Sequence, residues 1–139
     1  MITAEEFVER LCRIGSGRDP RGFPRRRRDR AILFRSLVQT LRSDRTYTEP
    51  EINTAIEAWK RGVAPSITTD HVTLRRLLVD HGHLERTPDG GVYQLGFPAQ
   101  PLAFELEVYD IDVWATTAAY RDQAARDRKR SPRAAEGRG

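Results

Sequence analysis

Apolar residues recur every three or four positions in five stretches of the chain, which is the spacing of helices that bury one face. The predicted helices lie within residues 1–14, 25–42, 48–62, 68–81 and 112–130. Two of them begin with a capping-box pattern, in which a threonine precedes a glutamate by three positions: Thr3 with Glu6, and Thr48 with Glu51.

The helix predicted over residues 68–81 has two chemically different faces. At about 100° per residue, one side collects its apolar residues and one histidine, namely Leu74, Leu77, Leu78 and His81. The opposite side carries Thr69, Val72, Thr73 and Arg76. Gly82 follows at the position where a left-handed residue ends a helix. We therefore expect a core face and a solvent face.

Two short runs after this helix predict a β-hairpin. Residues 83–87 and 92–95 flank the turn sequence Pro88-Asp89-Gly90-Gly91. A brief extended step is expected at residues 46–47, ahead of the third helix. Residues 104–108 alternate apolar and acidic side chains, which leaves their state open.

The order helix, extended step, helix, turn, helix and hairpin is that of a winged helix-turn-helix. The predicted fold is mainly α with a small β-hairpin, and it adds an N-terminal and a C-terminal helix to the winged helix. The chain is predicted to begin with an N-terminal helix (residues 1–14) and a flexible linker rich in glycine and proline (15–24). The winged-helix domain (25–96) follows, then a C-terminal extension with a helix (97–130) and a disordered tail (131–139).

Charge is distributed unevenly along the chain, whose formal net charge is +4. Residues 18–30 hold seven arginines against two aspartates, and residues 121–139 hold seven basic against three acidic residues. Residues 31–120 hold eight basic and twelve acidic residues, so the body is acidic and the arms are basic. This asymmetry favours a polyanionic partner that is contacted by the arms and by a few placed residues.

The third helix of a winged helix lies in the DNA major groove, which makes residues 68–81 the candidate recognition helix. Its candidate base-contacting residues are Thr69, Val72, Thr73 and Arg76, since hydroxyl and guanidinium groups bond base edges and valine meets a thymine methyl group. The candidate phosphate-binding residues are Arg25, Arg26, Arg27 and Arg28, which crowd a helix start whose dipole favours negative charge. The alternatives are an ordinary solvated arginine at position 76 and a solvated linker at positions 25–28.

Other chemistry is expected to be absent. Cys12 is the only cysteine, which excludes an internal disulfide and fits a reducing compartment. His81 and His83 are separated by a helix-ending glycine and point apart, so we predict no metal site. No pattern of catalytic residues or phosphate-binding glycines occurs, and we predict neither an enzyme nor a cofactor. The acidic amino end and the lack of a long apolar run favour a cytoplasmic protein without membrane contact.

Residues 23–93 resemble domain-of-unknown-function family 2087, a prokaryotic family found in transcriptional regulators. The resemblance rests on Phe23-Pro24, Tyr47-Thr48, Glu51-Ile52-Asn53, Asp70, Thr73-Leu74-Arg75-Arg76-Leu77-Leu78-Val79-Asp80, Gly82, Leu84, Arg86 and Gly91-Val92-Tyr93. It implies a winged-helix-like fold and a regulatory role, but it supplies no ligand or activity. If Arg75 and Arg86 belong to the family's framework, they serve internal pairing, with Asp80 or Glu85, rather than DNA.

The leading hypothesis is a DNA-binding transcriptional regulator that acts on double-stranded DNA. Its expected second partner is another copy of the chain, joined through the C-terminal helix around Trp114. One alternative is a protein-interaction adaptor that binds no nucleic acid. The other is sequence-tolerant binding of structured RNA through the basic arms.

Overall fold

Capping residues and apolar periodicity set the helices of this chain, and a computed structural model that describes residues 1–99 and 101–130 gives their bounds. In chain order the elements are α1 (Ala4–Gly15), α2 (Arg27–Val38), β1 (Tyr47–Thr48), α3 (Glu49–Gly62), α4 (His71–Asp80), β2 (Leu84–Arg86), β3 (Val92–Leu95), a 3₁₀ helix (Leu106–Asp110) and α5 (Val113–Arg130). The described chain is therefore mainly helical with one small antiparallel sheet, as predicted. The predicted disordered tail, residues 131–139, lies outside the described residues.

The two predicted capping boxes have different outcomes. At α3 the box is complete, because the Thr48 hydroxyl accepts a hydrogen bond from the Glu51 backbone while the Glu51 carboxylate accepts one from the Thr48 backbone. At α1 only the first half forms, with Thr3 accepting from the Glu6 backbone at 3.1 Å. The Glu6 carboxylate instead binds Arg28 on α2, so a tertiary ion pair replaces the local bond.

Helix α2 is shorter than predicted at both ends, since it begins at Arg27 rather than at residue 25 and ends at Val38 rather than near residue 42. Arg25 and Arg26 therefore precede the helix. The next backbone amides turn more tightly, with Thr40 donating to the Leu37 carbonyl at 3.0 Å and Leu41 donating to the Val38 carbonyl at 3.0 Å. Leu41 still reaches the core, where 8% of its surface is exposed. The apolar period therefore continues past the last residue of the helix.

The predicted hairpin is present and gains a third strand. Strands β2 and β3 pair antiparallel with Leu84 opposite Leu95, and β1 pairs with the other edge of β3 with Tyr47 opposite Tyr93. The strand order is therefore β1-β3-β2. Gly90 has a φ of 76° at the hairpin tip, the left-handed conformation that its turn requires.

One apolar core joins the helices to the sheet. The predicted core face of α3 is confirmed, because Ile52, Ile56 and Trp59 are each 0% exposed. Tyr47 and Tyr93 are buried as well, so these aromatic rings pack in the core. The Trp59 indole N–H donates to the Ser36 hydroxyl at 3.0 Å, so α3 is held to α2 by a polar contact inside the core.

The C-terminal part of the described chain packs against its beginning. The undecided stretch 104–108 forms a single bridge, Phe104 with Ile2, and then the 3₁₀ helix. Helix α5 follows and lies against α1 and α3. Its Arg121 donates to the Gly62 carbonyl at 2.9 Å, and the ring of Trp114 covers Gly62 so closely that an added Cβ would lie 2.5 Å from Trp114 Cζ3.

Candidate nucleic-acid interface

Helix α4 begins at His71, so the predicted start at residue 68 is wrong by three residues. The cause is a better cap, because the Asp70 carboxylate accepts a hydrogen bond from the Thr73 backbone at 2.8 Å. Thr68, the first residue of the predicted helix, has a different partner, since its backbone amide and its hydroxyl both donate to the Arg21 carbonyl. The helix ends at Asp80, followed by Gly82 with a φ of 82°.

One face of α4 is core and the opposite face is solvent-exposed. Leu74 and Leu78 are 0% exposed and Leu77 is partly buried, as predicted for the core face, but the prediction is wrong for His81, which follows the helix and is exposed. Val72, Thr73 and Arg76 lie together on the exposed face, where Val72 is 39% exposed. Arg76 makes no ion pair with any described residue, so its guanidinium group is available to a partner.

Thr69 is separated from the other three candidate base-contacting residues. It precedes the helix, and its hydroxyl accepts a hydrogen bond from the Phe23 backbone amide at 2.9 Å. That contact spans 46 residues of sequence and fixes the segment before α2 to the turn before α4. Its geometry suits positioning of the helix rather than contact with a base.

The α3 side of α4 is occupied by internal pairing. Arg75 bonds Asn53 and forms an ion pair with Glu49 at 3.0 Å, while His71 Nδ1 lies 2.9 Å from a Glu57 oxygen. Arg75 is thus a framework residue, but its partners lie on α3 and not at Asp80 or Glu85 as expected. Arg86 likewise lies within the wing, with its Nε donating to the Gly90 carbonyl at 3.4 Å.

The arginine-rich segment is fixed to residues just before and just after α4. Its backbone is fixed beside the turn before α4, because Arg21 donates to the Ser66 carbonyl at 2.8 Å. Further on, Arg30 Nη1 lies 3.1 Å from His81 Nε2 at the end of α4. The expected flexible linker therefore has fixed partners over residues 21–23, and Arg30 of the same segment contacts the residue that follows α4.

The four candidate phosphate-binding arginines differ in their surroundings. Arg25 and Arg26 are exposed and form no ion pair within the described chain, and Arg27 is exposed as well. Arg28 is bound through two of its nitrogens by the Glu6 carboxylate. This hydrogen bonding holds the pKa of Glu6 below its ordinary value, which shows that the pair is charged. Arg28 thus joins α2 to α1.

The two neighbouring histidines pack on an aromatic ring rather than on each other. The ring centroids of His81 and His83 lie 5.6 Å and 4.4 Å from that of Phe34. Burial lowers the pKa of His83 to about 4, so this imidazole is neutral at pH 7. Among residues 1–99 and 101–130 no cluster of three metal-binding side chains occurs. Nor is any helix in those ranges long and apolar enough to cross a membrane.

The comparisons with known proteins give one match. No curated protein and no solved structure matches the chain. A family model described as "Uncharacterized protein conserved in bacteria (DUF2087)" matches residues 21–95. The match begins at the arginine that is fixed beside the turn before α4 and ends at the last residue of β3, so it covers both sides of the candidate interface. Because the match spans more than half of the chain, the protein belongs to the DUF2087 family.

Proposed function

We propose that this protein is a winged-helix transcriptional regulator that binds double-stranded DNA. The main support for the proposal is the exposed face of α4, together with exposed arginines in the segment that is fixed to the residues before and after α4. The element order α2-β1-α3-α4-β2-β3, with β1 added to the hairpin, supports it because a winged helix has this order. In that arrangement α4 enters the major groove and the β2–β3 hairpin is the wing.

The residues divide into two roles. Val72, Thr73 and Arg76 contact base edges, since they form the exposed face of α4. Arg25 and Arg26 contact phosphates beside the helix and supply most of the affinity, because α4 itself exposes only one uncommitted arginine. Thr69 holds the turn before α4 to the arginine-rich segment. Arg28 contacts no phosphate in this proposal, because it is paired with Glu6.

The base-contact role is tested by selecting sites from a pool of genomic duplexes with the wild-type protein. We expect Arg76→Ala to lose preference at one base position and to weaken binding to the selected site by roughly tenfold or more. The matched control is Arg61→Ala, which removes an exposed arginine from the last turn of α3. Equal loss in both variants, or an unchanged preference in Arg76→Ala, contradicts the assignment.

The phosphate-contact role is tested by a salt series. Arg25→Gln with Arg26→Gln is expected to weaken binding to every sequence and to reduce the slope of log affinity against log salt by about 1.8, at about 0.9 per lost phosphate contact. The double variant Lys60→Gln with Arg61→Gln removes the same charge from α3 and should leave the slope unchanged. A slope that falls equally in both variants would assign the effect to net charge alone.

A protein-interaction adaptor is the second candidate function. Two observations favour it: Asp70 and Asp80 are exposed at the ends of α4, and Phe97 and Leu106 are 91% and 81% exposed. If no duplex binds more tightly than the micromolar affinity of non-specific binding at low salt, the adaptor function replaces the DNA-binding proposal. A structured RNA hairpin in the same assay tests the RNA alternative, which requires RNA to bind at least as tightly as the best duplex.

The homodimer contact through α5 stays a prediction. Trp114 already covers Gly62 within the chain, although 40% of its surface remains exposed. Sedimentation of the wild-type protein across a concentration series tests self-association, and Tyr120→Ala, which removes another exposed aromatic of α5, should weaken any dimer formed there.

A further inference from the structure

A cavity of about 940 Å³ lies beside α2 and is separate from the exposed face of α4. Its walls come from α2, from the end of α4, from residues 95–99 and 101–104, and from the 3₁₀ helix. This volume falls in the range of small-molecule sites, which are concave and mostly apolar with a few placed polar groups. The neighbouring segments are therefore arranged around a space large enough for an organic ligand.

Aromatic and aliphatic side chains form most of the cavity wall. The aromatic members are Phe34, Phe97, Phe104 and Tyr109. Ala31 lies on the α2 wall, where its small side chain leaves room. Such a wall suits a ligand with a flat or branched apolar body, because rings pack well against aromatic faces.

The charged groups of the cavity are mostly positive. Four arginines line it, Arg25, Arg27, Arg30 and Arg35, against the single carboxylate of Asp80. The first two are exposed, whereas Arg30 and Arg35 are half-buried. His83 adds no charge near neutral pH, because burial lowers its pKa to about 4. The electrostatic field inside this cavity therefore favours an anion.

Arg35 supplies a half-buried positive charge in the wall of the cavity. Its guanidinium carbon lies 4.9 Å from the centre of the Tyr109 ring, and its Nε donates to the Gln39 side chain at 2.9 Å. It forms no ion pair with a carboxylate among the described residues. Burial also lowers its pKa, which records the cost of a half-buried cation without a counter-ion. An anionic ligand would remove that cost.

We propose that this cavity binds an organic anion, in which a carboxylate or sulfonate is bound by Arg35 and an aromatic body packs against Phe97 and Phe104. The assignment rests on charge and shape and does not depend on DNA binding. It does connect the two surfaces, since Arg25 and Asp80 line the cavity and also lie beside or on α4. A bound anion therefore lies next to the proposed DNA interface.

The test uses anilinonaphthalene sulfonate as the probe, with N-phenylnaphthylamine as an uncharged probe of similar shape, both followed by fluorescence titration. We expect the wild-type protein to bind the sulfonate at one saturable site. Arg35→Gln should weaken sulfonate binding by about tenfold or more, since it removes a charge-assisted hydrogen bond to the sulfonate, and it should change binding of the uncharged probe much less. Arg61→Gln is the matched control, because it removes an exposed arginine outside the cavity.

A second variant keeps the test informative if Arg35→Gln does not fold. Ala31→Phe fills the cavity while leaving all four arginines in place, and it should abolish binding of both probes with an unchanged far-ultraviolet spectrum. The proposal is overturned if the folded wild-type protein shows no saturable sulfonate site. It is equally overturned if folded Ala31→Phe binds both probes as the wild type does, or if Arg35→Gln and Arg61→Gln weaken sulfonate binding alike.

Discussion

The contact between Trp59 and Ser36 gives a stability prediction that can be calculated from the structure. Both side chains are 0% exposed, and the Ser36 hydroxyl accepts from the indole while donating to the Leu33 carbonyl at 2.7 Å. Ser36→Ala leaves the indole N–H buried without an acceptor. Because an unsatisfied buried donor costs about 1–3 kcal/mol, the free energy of unfolding should fall by that amount.

The assay is chemical denaturation followed by circular dichroism, with Ser36→Ala made in the wild type and in Trp59→Phe. Phenylalanine has no N–H to leave unsatisfied, so the serine substitution should cost at least about 1 kcal/mol less in that background. Ser43→Ala, at an exposed serine, is the control and should change stability by less than about 0.5 kcal/mol. Equal costs of Ser36→Ala in the two backgrounds would refute the reasoning.

Two further predictions concern the packing of α5 and the half-buried His83. Gly62→Ala should destabilise the wild type, because the new Cβ would lie 2.5 Å from the Trp114 ring. In the Trp114→Ala background the same substitution should stabilise the protein by up to about 1 kcal/mol, because alanine has the higher helix propensity. Denaturation curves that show the same sign of change in both backgrounds would contradict this prediction. The pKa of His83 is about 4 in the folded protein, below its ordinary value of 6.5. Between these two pH values the unfolded chain therefore binds more protons than the folded protein does. The free energy of unfolding should fall as the pH falls from 6.5 to about 4. His83→Phe should lose less stability over that pH range, which denaturation curves at a series of pH values would measure. If the slope of the unfolding free energy against pH is the same in this variant as in the wild type, His83 is not the source of the pH dependence.

Local signals in the sequence were sufficient for most of the fold. The complete capping box at Thr48 and Glu51 and the glycine at the tip of the wing each depend on neighbouring residues alone, and both are present where predicted. Apolar periodicity likewise identified the buried faces of α3 and α4. These features follow from rules of spacing and turn conformation that a single sequence carries.

The features that the sequence missed depend on contacts between distant residues. Thr69 falls on the predicted solvent face with the other candidate base-contacting residues, but the backbone amide of Phe23, 46 residues earlier, donates to its hydroxyl. Arg28 resembles its arginine neighbours, yet Glu6, 22 residues away, neutralises it. Gly62 is the last residue of the predicted third helix, but the reason for a glycine there is the close approach of the Trp114 ring. No periodicity records any of these pairs.

The cavity beside α2 was missed for the same reason. Its walls bring together side chains from positions 25 to 109, and its central cation, Arg35, has no local feature that separates it from a solvated helix arginine. The sequence signal that was available is indirect, since residues 97–104 contain aromatic and proline residues without helical or strand periodicity.

The most direct test of the DNA-binding proposal is to locate the contact surface by amide chemical-shift changes in the isotope-labelled protein, titrated with its selected duplex. We expect the largest changes at Val72, Thr73 and Arg76 on α4, with further changes at Arg25 and Arg26 and in the β2–β3 hairpin. Changes confined to α5, or absent from α4 at saturating duplex, would contradict it.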